Sequence, residues 1–213
     1  MSLKYLVTIL YRPRETMRRI LDSAGSRWTA QIIILASICA SFSDADASRI
    51  GTKVLPGLTL MPILAIIVLG LVAQALSWIV FVLFVAVIAL PVGRFLGGKA
   101  SFRDVIAALA WGMVPTIWSP IYRIPFGIIA SRLHVAQTDA PKALLDVISR
   151  GGCSFFVAYL FFQVLFEVAC VIIGSFTLAE AQQFSTQKGF ANVLIALVLP
   201  FLVAAAAVFT FRS

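Results

Sequence analysis

An apolar run from Leu58 to Gly93 constrains this chain more than any other feature. It contains no charged residue, and between Pro62 and Pro91 Gln74, Ser77 and Trp78 are the side chains with a polar group that punctuate it. Soluble cores are assembled from shorter stretches that alternate or follow a helical stripe. A run this long belongs in bilayer hydrocarbon, where one helical crossing takes roughly 20 residues. The stretch exceeds one crossing and barely permits two. Two would require a turn whose backbone groups go unsatisfied in lipid. The expectation is therefore one tilted crossing over about 68–92, preceded by an interfacial stretch after Pro56 and Pro62.

The rest of the chain fits that solvent. It is 61% hydrophobic and 12% charged, with a mean hydropathy of +1.02. A first short span runs from about Trp28 to Phe42, ended by Asp44 and Asp46. A third covers Ile106 to about Ile121, interrupted by Pro115 and Pro120. A fourth covers about Phe155 to Ile173, residues 179–189 form a polar connector, and a fifth runs from Phe190 or Ala191 to Phe211. The fold class is an all-α polytopic bundle of about five spans with an N-terminal amphipathic helix. Residues 1–27 form a basic cytoplasmic segment and 28–213 the transmembrane domain. Residues 132–150 are polar, with a short amphipathic helix expected at Ala143 to Ile148.

The net charge of +8 would suggest nucleic acid in a soluble protein. Here the basic residues border apolar segments, so the positive-inside rule and anionic lipid account for them and nucleic acid is not expected. Arg12, Arg14, Arg18 and Arg19 surround Pro13, a good first helical residue, while Met17, Ile20 and Leu21 share one face. That pattern suits a helix on an anionic bilayer surface, with a short solvated helix as the alternative. Arg94, Lys99 and Arg103 form a second basic group without an acidic neighbour between them, which places the loop on the cytoplasmic side. No cleavable signal pattern is visible at the start. Five spans from a cytoplasmic N-terminus put the net-basic residues 122–150 outside; a re-entrant hairpin over 104–131 would bring them inside.

Catalytic chemistry finds little support. His134 is isolated, and Cys39, Cys153 and Cys170 form no CxxC, so no metal site is expected. There is no nucleophile elbow, and Gly97-Gly98-Lys99-Ala100 lacks the hydroxyl of a phosphate loop. The chain reads as a non-enzyme without a cofactor. Glu167 is the sharpest polar candidate: in mid-span it must be neutral, paired or turned to a polar interior. Gln163 lies one turn earlier on the same face, and Arg123 could snorkel or meet Glu167 across the bundle. Asp104 is expected to cap or charge-pair at the start of the third span. Gly93 and Gly97 form a GxxxG, and Gly97-Gly98 permits a tight turn.

Arg12-Pro13, the stretch Gly97-Gly98-Lys99-Ala100-Ser101-Phe102, and Trp111-Gly112-Met113-Val114-Pro115 together resemble the bacterial branch of the Yip1 domain family. The connector Ser185 to Gly189 running into the last span is similar to the same pattern. The proline-dense 115–125 stretch and polar 132–150 insertion depart from it. The resemblance implies five membrane helices, a cytoplasmic N-terminus and a bacterial inner-membrane location. Eukaryotic relatives are implicated in vesicle traffic with small Rab GTPases, a role that this chain, lacking a long cytoplasmic domain, gives little surface to support. The expected role is a non-enzymatic scaffold contacting the bilayer, anionic phospholipid headgroups, or a membrane or cytoplasmic protein partner. The alternative is a small transporter or ion-conducting oligomer organised around Glu167.

Overall fold

The computed structural model describes residues 3–23, 28–41, 60–125 and 153–210, and within them the chain is helical. Eight helices are named in chain order: α1 (Leu3–Tyr11), α2 (Pro13–Asp22), α3 (Thr29–Ser41), α4 (Leu60–Phe95), α5 (Phe102–Gly112), α6 (Val114–Trp118), α7 (Cys153–Gln182) and α8 (Thr186–Thr210). A further helical stretch covers 120–125. The expected features at Asp44 and Asp46, His134 and residues 132–150 lie outside the described residues.

Pro13 separates the first two helices. Its ring forces the preceding residue out of the α region, and Arg12 sits at φ −136°, ψ 65°. The amphipathic pattern of α2 is used differently from the expectation. Met17 and Ile20 are fully buried in one apolar cluster with Leu6 and Ile9 of α1 and with side chains of the long helices. That apolar face packs on protein, so it does not lie on lipid.

The long apolar run is one continuous helix of 36 residues, about 54 Å at helical rise. The separate interfacial stretch expected before residue 68 is instead helical from Leu60 onward. Pro62 does not prevent this, because in the first turn its missing N–H has no helical acceptor to lose. The helix ends in a Schellman motif. Gly97, at φ +92°, donates to the Arg94 carbonyl at 3.0 Å, and Gly98 donates to the Gly93 carbonyl at 2.8 Å. Three residues later Ser101 opens α5 with a capping box. Ser101 Oγ accepts from the Asp104 N–H at 3.3 Å, and Asp104 accepts from the Ser101 N–H at 3.1 Å. Asp104 thus caps.

The proline-rich third segment is broken at Met113 and Ser119. Pro115 stands in the first turn of α6 and Pro120 opens the stretch 120–125, so each proline begins a helical piece. The pieces remain roughly collinear and run antiparallel to α7. Thr177 Oγ1 donates to the Ala108 carbonyl at 2.8 Å, Thr116 meets Cys170 at 3.4 Å, and Tyr122 meets Gln163 at 2.7 Å. Through Pro125 the chain does not turn back, unlike the hairpin alternative. Gly112 and Gly174 mark the tightest point of this crossing; a Cβ on Gly112 would lie 2.6 Å from the Gly174 Cα.

The fourth span and its connector also differ from expectation. Helix α7 continues past Ile173 to Gln182, and the link to α8 is Gln183 to Ser185 alone. Residues 179–189 look like loop in sequence because Glu180, Gln182 and Lys188 are polar. Each finds a tertiary partner, so the helices extend through them. Segment α5–α6 packs against α3, α4 and α7, while α8 covers α7 and α4. Over the best apolar window of Phe102–Pro125, 61% is buried, against 22% for Val68–Phe95 and 11% for Val157–Gln182. The proline-broken helix is therefore central, and the long straight ones present apolar surface outward. Among the described residues three helices, Val68–Phe95, Phe102–Pro125 and Val157–Gln182, have the length and composition to cross a membrane; Thr29–Ala40 is a shorter apolar helix.

Candidate functional site: two polar centres on one helix

The first centre lies where α2 docks on the end of α7. Glu180 is 9% exposed and receives Arg14 Nε at 3.0 Å and Arg18 Nε at 2.7 Å. Arg14 Nη2 also donates to the Phe184 carbonyl at 3.4 Å. The hydrogen bond and charge of Glu180 raise the Arg18 pKa above its ordinary value. On the other side of α2, Glu15 holds Arg19 at 2.5 Å and lies 3.5 Å from Arg12. Two turns' worth of basic side chains are thus fixed in place, with their guanidinium groups largely in solvent.

Beside this clamp, Gln182 closes over the turn that follows α4. Its backbone carbonyl accepts from the Lys99 N–H at 3.1 Å, and its Oε1 accepts from the Ala100 N–H at 3.3 Å. Its side chain occupies the space that a Cβ would need on Gly93 or Gly98. Asn192 on α8 donates to the Ala89 carbonyl at 3.1 Å, and Lys188 Nζ donates to the Leu96 carbonyl at 2.8 Å. Gln182 Nε2 and Asn192 Oδ1 have no partner among the described residues. Gly93, Gly97 and Gly98 therefore serve a backbone shelf and a turn. Arg94, Lys99 and Arg103 are exposed around it.

The second centre lies farther along α7. Arg123 is buried, and donates from Nη1 to the Ala40 carbonyl at 2.7 Å, from Nη2 to Gln163 Oε1 at 3.0 Å and from Nε to the Tyr122 hydroxyl at 3.1 Å. The Tyr122 hydroxyl donates to the same Gln163 Oε1 at 2.7 Å, and Gln163 Nε2 donates to Glu167 Oε1 at 2.9 Å. The two donors on Oε1 fix the amide orientation, turning its NH₂ toward the carboxylate. Arg123 and Glu167 are thus joined through one amide, and among the described residues no cation contacts Glu167 directly. Glu167 is exposed and borders a cavity of about 180 Å³ between α4, α5, α6, α7 and α8, with Trp78, Val85, Leu109, Cys170 and Leu197 in its walls.

The structure places Gln163 between Arg123 and Glu167, in place of the direct Arg123–Glu167 contact that the sequence left open, and adds Tyr122 and the Ala40 carbonyl. Sequence reasoning missed Glu180, Gln182 and Asn192. The signal available was polarity flanked by long apolar stretches, which matches a connector as well as a buried clasp. Pro115 and Pro120 start helical pieces near this centre and contribute no ligand. Among the described residues no group of three metal-ligating side chains occurs.

Helices of this length and composition, stacked around a broken central segment, define a multi-pass helical membrane protein. A family comparison gives the finer placement: the Yip1 domain model matches residues 7–208, and the chain belongs to that family, whose members are non-catalytic membrane proteins. No curated protein and no solved structure matches the chain.

Proposed function

We propose that the protein is a non-enzymatic scaffold of a bacterial inner membrane, using its basic end to engage anionic phospholipid headgroups or a protein partner. The observation that supports this reading most is the clamp of Arg14 and Arg18 on Glu180. With Met17 and Ile20 buried, it makes α2 a rigid basic face. Eight basic residues (Arg12, Arg14, Arg18, Arg19, Arg94, Lys99, Arg103, Lys188) and four acidic ones (Glu15, Asp22, Asp104, Glu180) gather on α2 and around the two short connectors, a surplus of four. The eight Lys and Arg beside the helix ends favour the cytoplasmic side, since Asp and Glu weigh little in that bias. In this reading α3, α4, α5–α6 with 120–125, α7 and α8 make five crossings from a cytoplasmic N-terminus.

Single cysteines at Phe95, Ser185 and Asp139 in intact cells test the orientation: the first two stay protected from an impermeant reagent and the third labels. Labelling of Phe95 or Ser185 from outside sinks it. Headgroup contact is tested in vesicles containing labelled phosphatidylglycerol. Wild type enriches the label around itself in a salt-sensitive manner, and replacing Arg12, Arg18 and Arg19 with Gln abolishes this. Enrichment indifferent to salt and to the substitutions would overturn it. The second reading, transport organised around Glu167, draws on the cavity that this carboxylate borders.

A further inference from the structure

The bend between α1 and α2 forms a cavity of about 480 Å³ against α7, lined by Arg12, Arg14 and Glu15 from the bend and by Ile172, Ile173 and Phe176 from α7. It sits where the surface of α7 changes character. Phe161, Leu165, Val168 and Ile172 are spaced to share one helical face, and all four are exposed. Ile172 is 45% exposed and its neighbour Ile173 only 7%. An apolar stripe thus climbs α7 and stops under the cavity, where Tyr11 at 79% and the Arg12 side chain at 76% exposure stand. Tyrosine and arginine together are the pair expected at the level of lipid headgroups.

Charge is available at that point. Among the described residues the carboxylate paired with Arg12 is Glu15 at 3.5 Å, and Glu15 is itself held by Arg19 at 2.5 Å. Arg14 is oriented by Glu180 and by the Phe184 carbonyl. A hydrocarbon-facing stripe leading to a weakly paired arginine has the polarity of one amphiphile, apolar along its length and anionic at its end.

We propose that this bend binds a single anionic bilayer phospholipid, its phosphate at Arg12 and Arg14 and one acyl chain along Phe161, Leu165, Val168 and Ile172. The inference rests on the headgroup-contacting reading above and narrows it to one site. Free phosphate would use the arginines and leave the stripe idle. The bend also explains a use for Pro13 beyond ending a helix: it turns Arg12 out over α7 while α2 stays clamped.

The test uses the full-length protein in detergent, given phosphatidylglycerol and phosphatidylcholine of identical acyl chains, with retained lipid counted by native mass spectrometry. Wild type retains phosphatidylglycerol in preference, and Arg12→Gln lowers that preference about fivefold, the scale of one basic residue at a headgroup. Lys4→Gln, on an exposed residue outside the cavity and outside the basic face, leaves it unchanged. A phosphatidylglycerol carrying a photoreactive group on its acyl chain cross-links within 161–176. If Arg12→Gln and Lys4→Gln act equally, or the cross-links fall elsewhere, the site is wrong while the general basic face survives. If wild type shows no preference between the lipids, both fail. Inorganic phosphate displacing the bound lipid from wild type would also overturn the acyl-chain part.

Discussion

Glu167 and Glu180 stand thirteen residues apart on the same helix and are wired in opposite ways. Glu180 is buried and its two arginines are exposed; at the other centre Arg123 is buried and Glu167 is exposed. Glu180 touches both of its cations, whereas Glu167 reaches Arg123 only through the Gln163 amide. The surroundings differ in step. Residues 173–182 are sheathed by α2, α5 and α8, while 157–172 present mostly exposed apolar side chains. Where the helix is wrapped in protein beside a basic surface, a buried carboxylate can be satisfied by arginines that keep their water. In the outward-facing half the polar groups form a short chain that turns its cation inward. One helix therefore carries a docking end and a lipid-facing end.

The largest expected contrast is in apolar packing. Leu178 is fully buried and Leu165 is 48% exposed. Leu178→Ala should destabilise the purified protein by about 3 kcal/mol, the range of a buried leucine truncation. Leu165→Ala should cost about 0.5 kcal/mol or less, since lipid or detergent fills the space. Thermal unfolding in detergent measures both. Equal losses would mean that the outer half of α7 is buried in an assembly, and the division drawn between its two ends would fall.

Next in size is the clamp. Arg14→Ala combined with Arg18→Ala leaves Glu180 buried without a counter-charge. Stranding a fully buried carboxylate costs about 3–5 kcal/mol, and water reaching the site that the two arginines vacate brings the loss here below that of Leu178→Ala. Glu180→Gln should cost less than the double substitution, because both arginines can return to solvent. Protease cleavage within α2 reads the same event, faster in the double variant. A loss from Glu180→Gln equal to that of the double variant would show that the carboxylate is not the stranded group.

The legibility of the sequence follows the same division. The outer half of α7 was readable because apolar length is a nearly sufficient signal for lipid. Gln163 and Glu167 were visible because polarity inside such a run has few explanations, and Arg123 because it stands between Pro120 and Pro125. The inner half was misread. Glu180 and Gln182 look the same in sequence whether they lie on a loop or in a buried clasp, and only partners more than eighty residues away decide which. Likewise, Met17 and Ile20 show an apolar face without saying whether protein or bilayer covers it. Pro115 and Pro120 announced breaks correctly, but the centrality of that segment came from packing, which a proline pattern does not encode.

The smallest expected effect is at Glu167, and it separates structure from transport. Glu167→Gln keeps the side chain's size and an acceptor for the Gln163 amide, so stability should change by about 0.5 kcal/mol or less. Gln163→Leu is the harsher cut: it removes the acceptor shared by Tyr122 and Arg123 and should cost about 2 kcal/mol. If the amide serves only packing, the ranking Gln163→Leu above Glu167→Gln holds in thermal unfolding, and proton or cation flux in sealed vesicles is the same for wild type and Glu167→Gln. A flux present in wild type and abolished by Glu167→Gln, with stability retained, would make the exposed carboxylate the working group. The buried arginine would then be what holds its amide in place.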